Sequence, residues 1–130
     1  MVENEKETEN KMILLYHNKR CSKSRACLEL IIKSNIKYKV INYLEEDICP
    51  KDLVAIINGL IDPIENLVRI NEPSIKNKKI NFKNKKDIMD LLKNNKICMQ
   101  RPIVAAGGRF EICRPADKVL KYLDQKGISK

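Results

Sequence analysis

Cys21 stands in a run of basic and polar residues, Tyr16-His17-Asn18-Lys19-Arg20-Cys21-Ser22-Lys23-Ser24-Arg25. A thiol reacts as its thiolate, and two features lower a cysteine pKa: nearby cations and the N-terminus of a helix. Both are written around Cys21. A short apolar run, Met12 to Tyr16, precedes it, and an amphipathic helical pattern, Ser22 to Lys33, follows. The cysteine therefore falls at a strand-to-helix junction, where a nucleophile can be exposed and activated. His17, the one histidine, flanks it and could hydrogen-bond the thiolate or its own loop. Three residues on from Cys21 stands Ser24 rather than a second cysteine, so the site carries one thiol and a resolving thiol must come from elsewhere. Cys27 does not serve. Six helical residues rotate it by about 240° and raise it by about 9 Å, which turns it to the core.

The elements that must position this thiol follow from hydrophobic patterning. Tyr38 to Tyr43, rich in β-branched and aromatic residues, reads as a second strand, completing a βαβ unit with a right-handed crossover. Cys49-Pro50 opens a helix running to Asn58-Gly59, with Pro50 suited to the first turn. Pro63 opens a short helix through Val68, residues 71–86 form a polar and flexible connection, and Asp87 to Asn95 is a helix with Ile88, Leu91 and Leu92 inward. Ile103 to Ala106, Gly107-Gly108 and Arg109 to Cys113 read as a β-hairpin. Pro115 to Leu123 closes the chain as a helix. The order is that of an α/β, thioredoxin-like fold, βαβ…ββα with a helical insertion, built on a mixed four-stranded sheet. In such folds a cis-proline begins the third strand opposite the reactive cysteine. Pro102 occupies that place, and the residue before it, Arg101, points at the thiol. Its planar, permanently charged fork suits an oxyanion.

At 130 residues the chain is one domain's length; residues 1–11 read as a disordered polar tail and 12–130 as the domain. No apolar stretch approaches a membrane span. The acidic, polar N-terminus lacks the apolar core of a secretory signal. Five cysteines without paired spacing, on a chain with no export signal, suit reduced thiols and a cytoplasmic location. One histidine and scattered cysteines match no zinc spacing. The net charge of +9 comes from lysines dispersed among Asn and Ile, with 5% aromatic residues and no tryptophan to stack on bases. Nucleic acid is not the expected partner; the basic balance suits an anionic small substrate or an acidic partner.

The motifs Tyr16-His17-Asn18 with Cys21-x-x-Ser24-Arg25, Leu67-Val68-Arg69-x-Asn71-Glu72-Pro73, Arg101-Pro102-Ile103-Val104 and Cys113-Arg114-Pro115 together resemble the glutaredoxin-coupled arsenate reductases. The resemblance spans about residues 12–123 in the same order. It implies that Cys21 is the nucleophile, that Arg69, Arg101 and Arg114 hold the oxyanion, and that His17 and Ser24 support the thiolate. It further implies glutathione as co-substrate, glutaredoxin as partner, and no bound metal or organic cofactor. The turn Gly107-Gly108-Arg109-Phe110-Glu111 departs from the family pattern and alters the rim near Arg114. Two alternatives share the scaffold: a glutathione-dependent thiol transferase with another substrate, and an Spx-like regulator. Ser24 counts against the regulator, whose switch needs a second cysteine there. Convergence of the three arginines on Cys21 favours the oxyanion reading.

Overall fold

The computed structural model describes residues 12–123; the expected tail at 1–11 and the last residues of the expected domain lie outside them. The strands are β1 (Ile13–Tyr16), β2 (Tyr38–Ile41), β3 (Ile103–Ala106) and β4 (Arg109–Ile112). They form one sheet in the order β2-β1-β3-β4. β1 runs parallel to β2, with Ile13 opposite Tyr38, and antiparallel to β3, with Leu15 opposite Val104. β3 and β4 are an antiparallel hairpin. Gly107 and Gly108, at φ +57° and +82°, supply the left-handed backbone that a two-residue hairpin turn requires. This is the mixed four-stranded sheet expected from the sequence.

The helices are α1 (Ser22–Lys33), α2 (Pro50–Gly59) and α3 (Lys85–Asn94). Strand alternation sorts them into two layers. Ile13 and Leu15 of β1 and Val104 of β3 pack with Cys27 and Ile31 of α1 and with Val119 and Leu123. Leu14 and Tyr16, on the opposite face, join Ile103, Ala105, Phe110 and Ile112 against α2, α3 and their connections. Cys27 is fully buried, as its helical rotation required.

Several boundaries move. β1 begins at Ile13, and β2 ends at Ile41, so Tyr43 leaves the ladder. α3 begins two residues before Asp87, because Asn84 accepts the Asp87 N–H at 3.0 Å as its cap. The helix after Pro63 is a single 3₁₀ stretch, Ile64–Leu67. Residues 71–86 are not a loose connection: a 3₁₀ turn at Pro73–Ile75 buries Ile75, and Ile80 and Phe82 pack on the core. Polarity hid these three apolar anchors. β4 stops at Ile112, and the closing segment starts as 3₁₀ helix, Ala116–Val119.

Two clasps fix the insertion between β2 and β3, one to the sheet and one between its own two ends. At one, Ile61 N–H donates to the Phe110 carbonyl at 2.9 Å, beside a bridge between Leu60 and Phe110. Gly59 fits there because a Cβ would stand 2.6 Å from the Gly108 carbonyl oxygen and 2.8 Å from Phe110 Cδ1. At the other, Val68 bridges Met99, with Arg69 N–H to the Cys98 carbonyl and Gln100 N–H to the Leu67 carbonyl, both 2.7 Å.

Candidate active site

The turn before α1 is built by Asn18. Its carbonyl accepts the Cys21 N–H at 3.0 Å, and its side-chain oxygen accepts the Arg20 N–H at 2.9 Å. Cys21 is left as the N-cap of α1, with extended backbone and no side-chain cap bond. Its sulfur therefore faces the first-turn N–H groups with nothing competing for them. Burial pushes the Cys21 thiol up. Against it, the backbone N–H of Ser24, the Arg101 guanidinium and the backbone N–H of Lys23 together hold it below the usual thiol value. Among the groups that lower it, Arg101 is the principal cation.

The side chains of His17 and Ser24 bond within the turn, while the Ser24 backbone N–H serves the sulfur. His17 is buried, and its Nδ1 lies 2.7 Å from Ser24 Oγ. Ser24 Oγ also accepts the Asn18 N–H at 3.1 Å, and Ser24 is fully buried. So Ser24 contributes its backbone N–H to Cys21 while its hydroxyl fastens the loop, and His17 binds the helix start, not the sulfur. Burial, then the charge of Arg25, lower the His17 pKa. Exposed Arg25 donates from Nη1 to the Lys19 carbonyl at 3.0 Å, closing the same loop from outside.

The Arg101–Pro102 peptide bond is cis, as the fold led us to expect, and so is Arg114–Pro115. Pro102 is buried at the head of β3. Two of the three arginines, Arg101 and Arg114, stand at the thiol. Arg114 Nη1 lies 3.8 Å from Cys21 Sγ and donates to the Arg101 carbonyl at 3.0 Å. Arg101 Nε and Nη1 are buried with no hydrogen-bond partner among the described residues. Arg69 does not touch the sulfur. It is held by Glu72 (Nε to Oε2, 3.3 Å) and by Gln100 (Nη1 to Oε1, 3.2 Å). Its charge nonetheless acts at the same point as those of Arg101 and Cys21, the hydroxyl of Tyr43.

Tyr43 and Gln100 were not found from the sequence. Tyr43 is fully buried and donates to the Met99 carbonyl at 3.4 Å. Burial raises its pKa to about 12, against the pull of Arg101 and Arg69. The only sequence signal was an aromatic residue just beyond a strand whose end abuts the Cys21 loop. The remaining thiols are differently placed. Cys113 is buried and pushed up by the neighbouring Cys27 thiol and by burial. Cys98 is buried, with Ser74 Oγ 3.2 Å from its sulfur. Among the described residues no three His, Cys, Asp or Glu side chains form a group able to hold a metal ion. Nor is any helix among them long and apolar enough to cross a membrane.

A thioredoxin-like sheet that presents one lowered-pKa thiol beside Arg101 and Arg114 defines a site built for chemistry at one thiol. A family model described as the ArsC family matches residues 16–122, and the chain belongs to that family. It is 34% identical over 119 residues to the arsenate reductase of Escherichia coli K12, covering 88% of this chain and 84% of that protein. It is 31% identical over 118 residues to the uncharacterized protein YfgD of the same strain, covering 87% and 98%. Among solved structures, an arsenate reductase from Vibrio cholerae superposes with a TM-score of 0.73 at 25% identity, over 85% of this chain and 97% of that one.

Proposed function

We propose that this protein is a cytoplasmic arsenate reductase in which Cys21 is the nucleophile and glutathione and glutaredoxin supply the electrons. The observation that carries the reading is the pair of unpartnered, buried N–H groups on Arg101 beside the Cys21 thiolate. Buried donors without acceptors cost stability, so a site that keeps two of them is shaped for an acceptor that arrives from outside. A tetrahedral oxyanion fits. Arg114 adds a third donor at the sulfur and Arg69 a further positive charge.

In the mechanism this supports, arsenate docks on Arg101 and Arg114 and on the N-terminus of α1. The Cys21 thiolate attacks arsenic, an S–As bond forms and hydroxide leaves. The arginines hold the charge gathering on the arsenate oxygens. Glutathione thiolate then attacks the Cys21 sulfur. The S–As electron pair stays on arsenic, reducing As(V) to As(III), and a Cys21–glutathione disulfide remains. Glutaredoxin takes the glutathionyl group and returns Cys21 to its thiolate. Ser24 carries no thiol and so cannot resolve the disulfide, in keeping with an external thiol; its hydroxyl is bonded to His17 and Asn18 instead. No metal or bound organic cofactor enters this scheme.

The test is arsenate-dependent NADPH consumption with glutathione, glutathione reductase and glutaredoxin, comparing wild type with Cys21→Ser. Turnover that needs every component and disappears in the variant is the expected result. No turnover from folded protein with a reactive Cys21 would move the reading to thiol transfer or regulation on the same scaffold.

A further inference from the structure

The reductase reading places three guanidinium groups around one anion but leaves open what keeps them together before it arrives. Like charges crowded in a cleft repel, by about 4 kcal/mol at 4 Å and an effective dielectric of 20. Something must offset this without cancelling the positive field. The side chain of Gln100 is placed to do so. Its amide oxygen accepts from two donors at once, Arg69 Nη1 at 3.2 Å and the backbone N–H of Arg101 at 3.2 Å. Two donors converging on one atom also fix which end of the amide is the oxygen.

The backbone of Gln100 is itself fixed. Its N–H donates to the Leu67 carbonyl at 2.7 Å, within the clasp that joins Val68 to Met99. The amide oxygen thus stands on a rigid base between the Arg69 side chain and the Arg101 peptide. On the other side of that residue, the Arg101 carbonyl accepts Arg114 Nη1 at 3.0 Å. Arg69, Gln100, Arg101 and Arg114 form one chain of hydrogen bonds that ends 3.8 Å from Cys21 Sγ. A neutral amide suits this link: Glu72 already sets one carboxylate on Arg69 Nε at 3.3 Å, and a second at position 100 would subtract a further charge from the anion site.

We propose that Gln100 is a positioning residue, whose amide oxygen holds the Arg69 guanidinium to the Arg101 backbone so that both arginines address a single oxyanion. The inference rests on the oxyanion reading of the site. It concerns a residue that touches neither the thiol nor, by this geometry, the substrate.

The experiment measures alkylation of Cys21 by iodoacetamide in wild type, Gln100→Leu, Arg69→Ala and the double variant, with arsenate as protecting anion. Wild type is protected. Gln100→Leu needs about tenfold more arsenate for the same protection, the loss expected of one hydrogen bond to a charged group. Combining it with Arg69→Ala adds no further loss, because Gln100 acts through Arg69. A merely structural role would give additive losses. Gln100→Glu keeps the acceptor and the fold, yet also weakens protection because it adds negative charge, and it carries the test if Gln100→Leu does not fold. Additive losses, or Gln100→Leu or Gln100→Glu protected like wild type, overturn the inference while leaving the oxyanion reading intact. No protection of wild type overturns both.

Discussion

Replacing Arg101 by methionine should make the protein more stable and less able to bind an anion. The side chain carries two buried N–H groups, on Nε and Nη1, that find no acceptor among the described residues. Each buried, unsatisfied donor costs on the order of 1–3 kcal/mol. Methionine fills a similar volume without polar N–H groups, so relieving both should add about 2 kcal/mol or more. For a domain of this length that is a rise of roughly 5–10 °C in melting temperature, interpolating between smaller and larger domains. Binding moves the other way. Two charge-assisted hydrogen bonds to an oxyanion are together worth about 3–6 kcal/mol, so affinity for arsenate should fall by at least about a hundredfold. The Cys21 thiol should rise toward its ordinary value, since Arg101 is the main cation holding it down. Scanning calorimetry with and without arsenate reads the first two effects, and the pH dependence of iodoacetamide alkylation reads the third. A variant that melts at or below wild type, or that still gains stability from arsenate as wild type does, refutes the reasoning. It would mean that the two donors are not aimed at the anion.

Other expectations follow from the same geometry. Alkylation of Cys21 in wild type should reach half its maximal rate below the pH of about 8.5 typical of a free thiol; a midpoint at or above it contradicts the lowered pKa. His17 titrates lower in the folded chain than in the unfolded one. Its contribution to stability is therefore present above the unfolded value of about 6.5 and is lost as pH falls through the folded one, so thermal stability should drop as pH falls below about 6.5. That drop should vanish in His17→Gln, and a drop of equal size in the variant would contradict it. Gly59→Ala should destabilise by roughly 1–3 kcal/mol, because its Cβ would meet the Gly108 carbonyl and the Phe110 ring; urea denaturation that shows no change would be inconsistent with so close an approach.

The sequence carried the order of elements because each announces itself locally. Met12–Tyr16 and Ile103–Ala106 are apolar runs, Cys49-Pro50 is a helix start, and Gly107-Gly108 is a hairpin turn. Cys21 was legible for the same reason: strand, basic loop and helix are contiguous in the chain. What depends on distant partners was not. The anchors Ile75, Ile80 and Phe82 sit in a stretch whose lysines and asparagines dominate any window average, and only the core they reach identifies them. Tyr43 looked like the last residue of a strand, but β2 ends at Ile41 and frees it to turn toward Arg101. Gln100 is one uncharged residue beside a conspicuous Arg-Pro pair. Its meaning lies in Arg69, which is brought to it by the clasp between Val68 and Met99. The histidine role also needed coordinates, since nothing in the spacing says that His17 binds Ser24 rather than the sulfur.

The clasp at Val68 and Met99 has a bearing on how this protein can change over time. Residues 67–69 and 98–100 are zipped together, and Arg69, Gln100 and Arg101 are set by that zip. The chain between its two halves, from Ile70 to Ile97, leaves and re-enters at neighbouring points. Its excursion can lengthen, shorten or exchange surface residues without moving those three side chains, as long as Glu72 keeps its bond to Arg69 and Ile75, Ile80, Phe82, Ile88, Leu91 and Leu92 keep their places against the core. The exposed run Lys76-Asn77-Lys78-Lys79, between the anchors Ile75 and Ile80, is thus a place where new recognition can be tried at little risk to the chemistry. Descendants of this chain could acquire different clients there while the thiol and its guanidinium groups stay as they are.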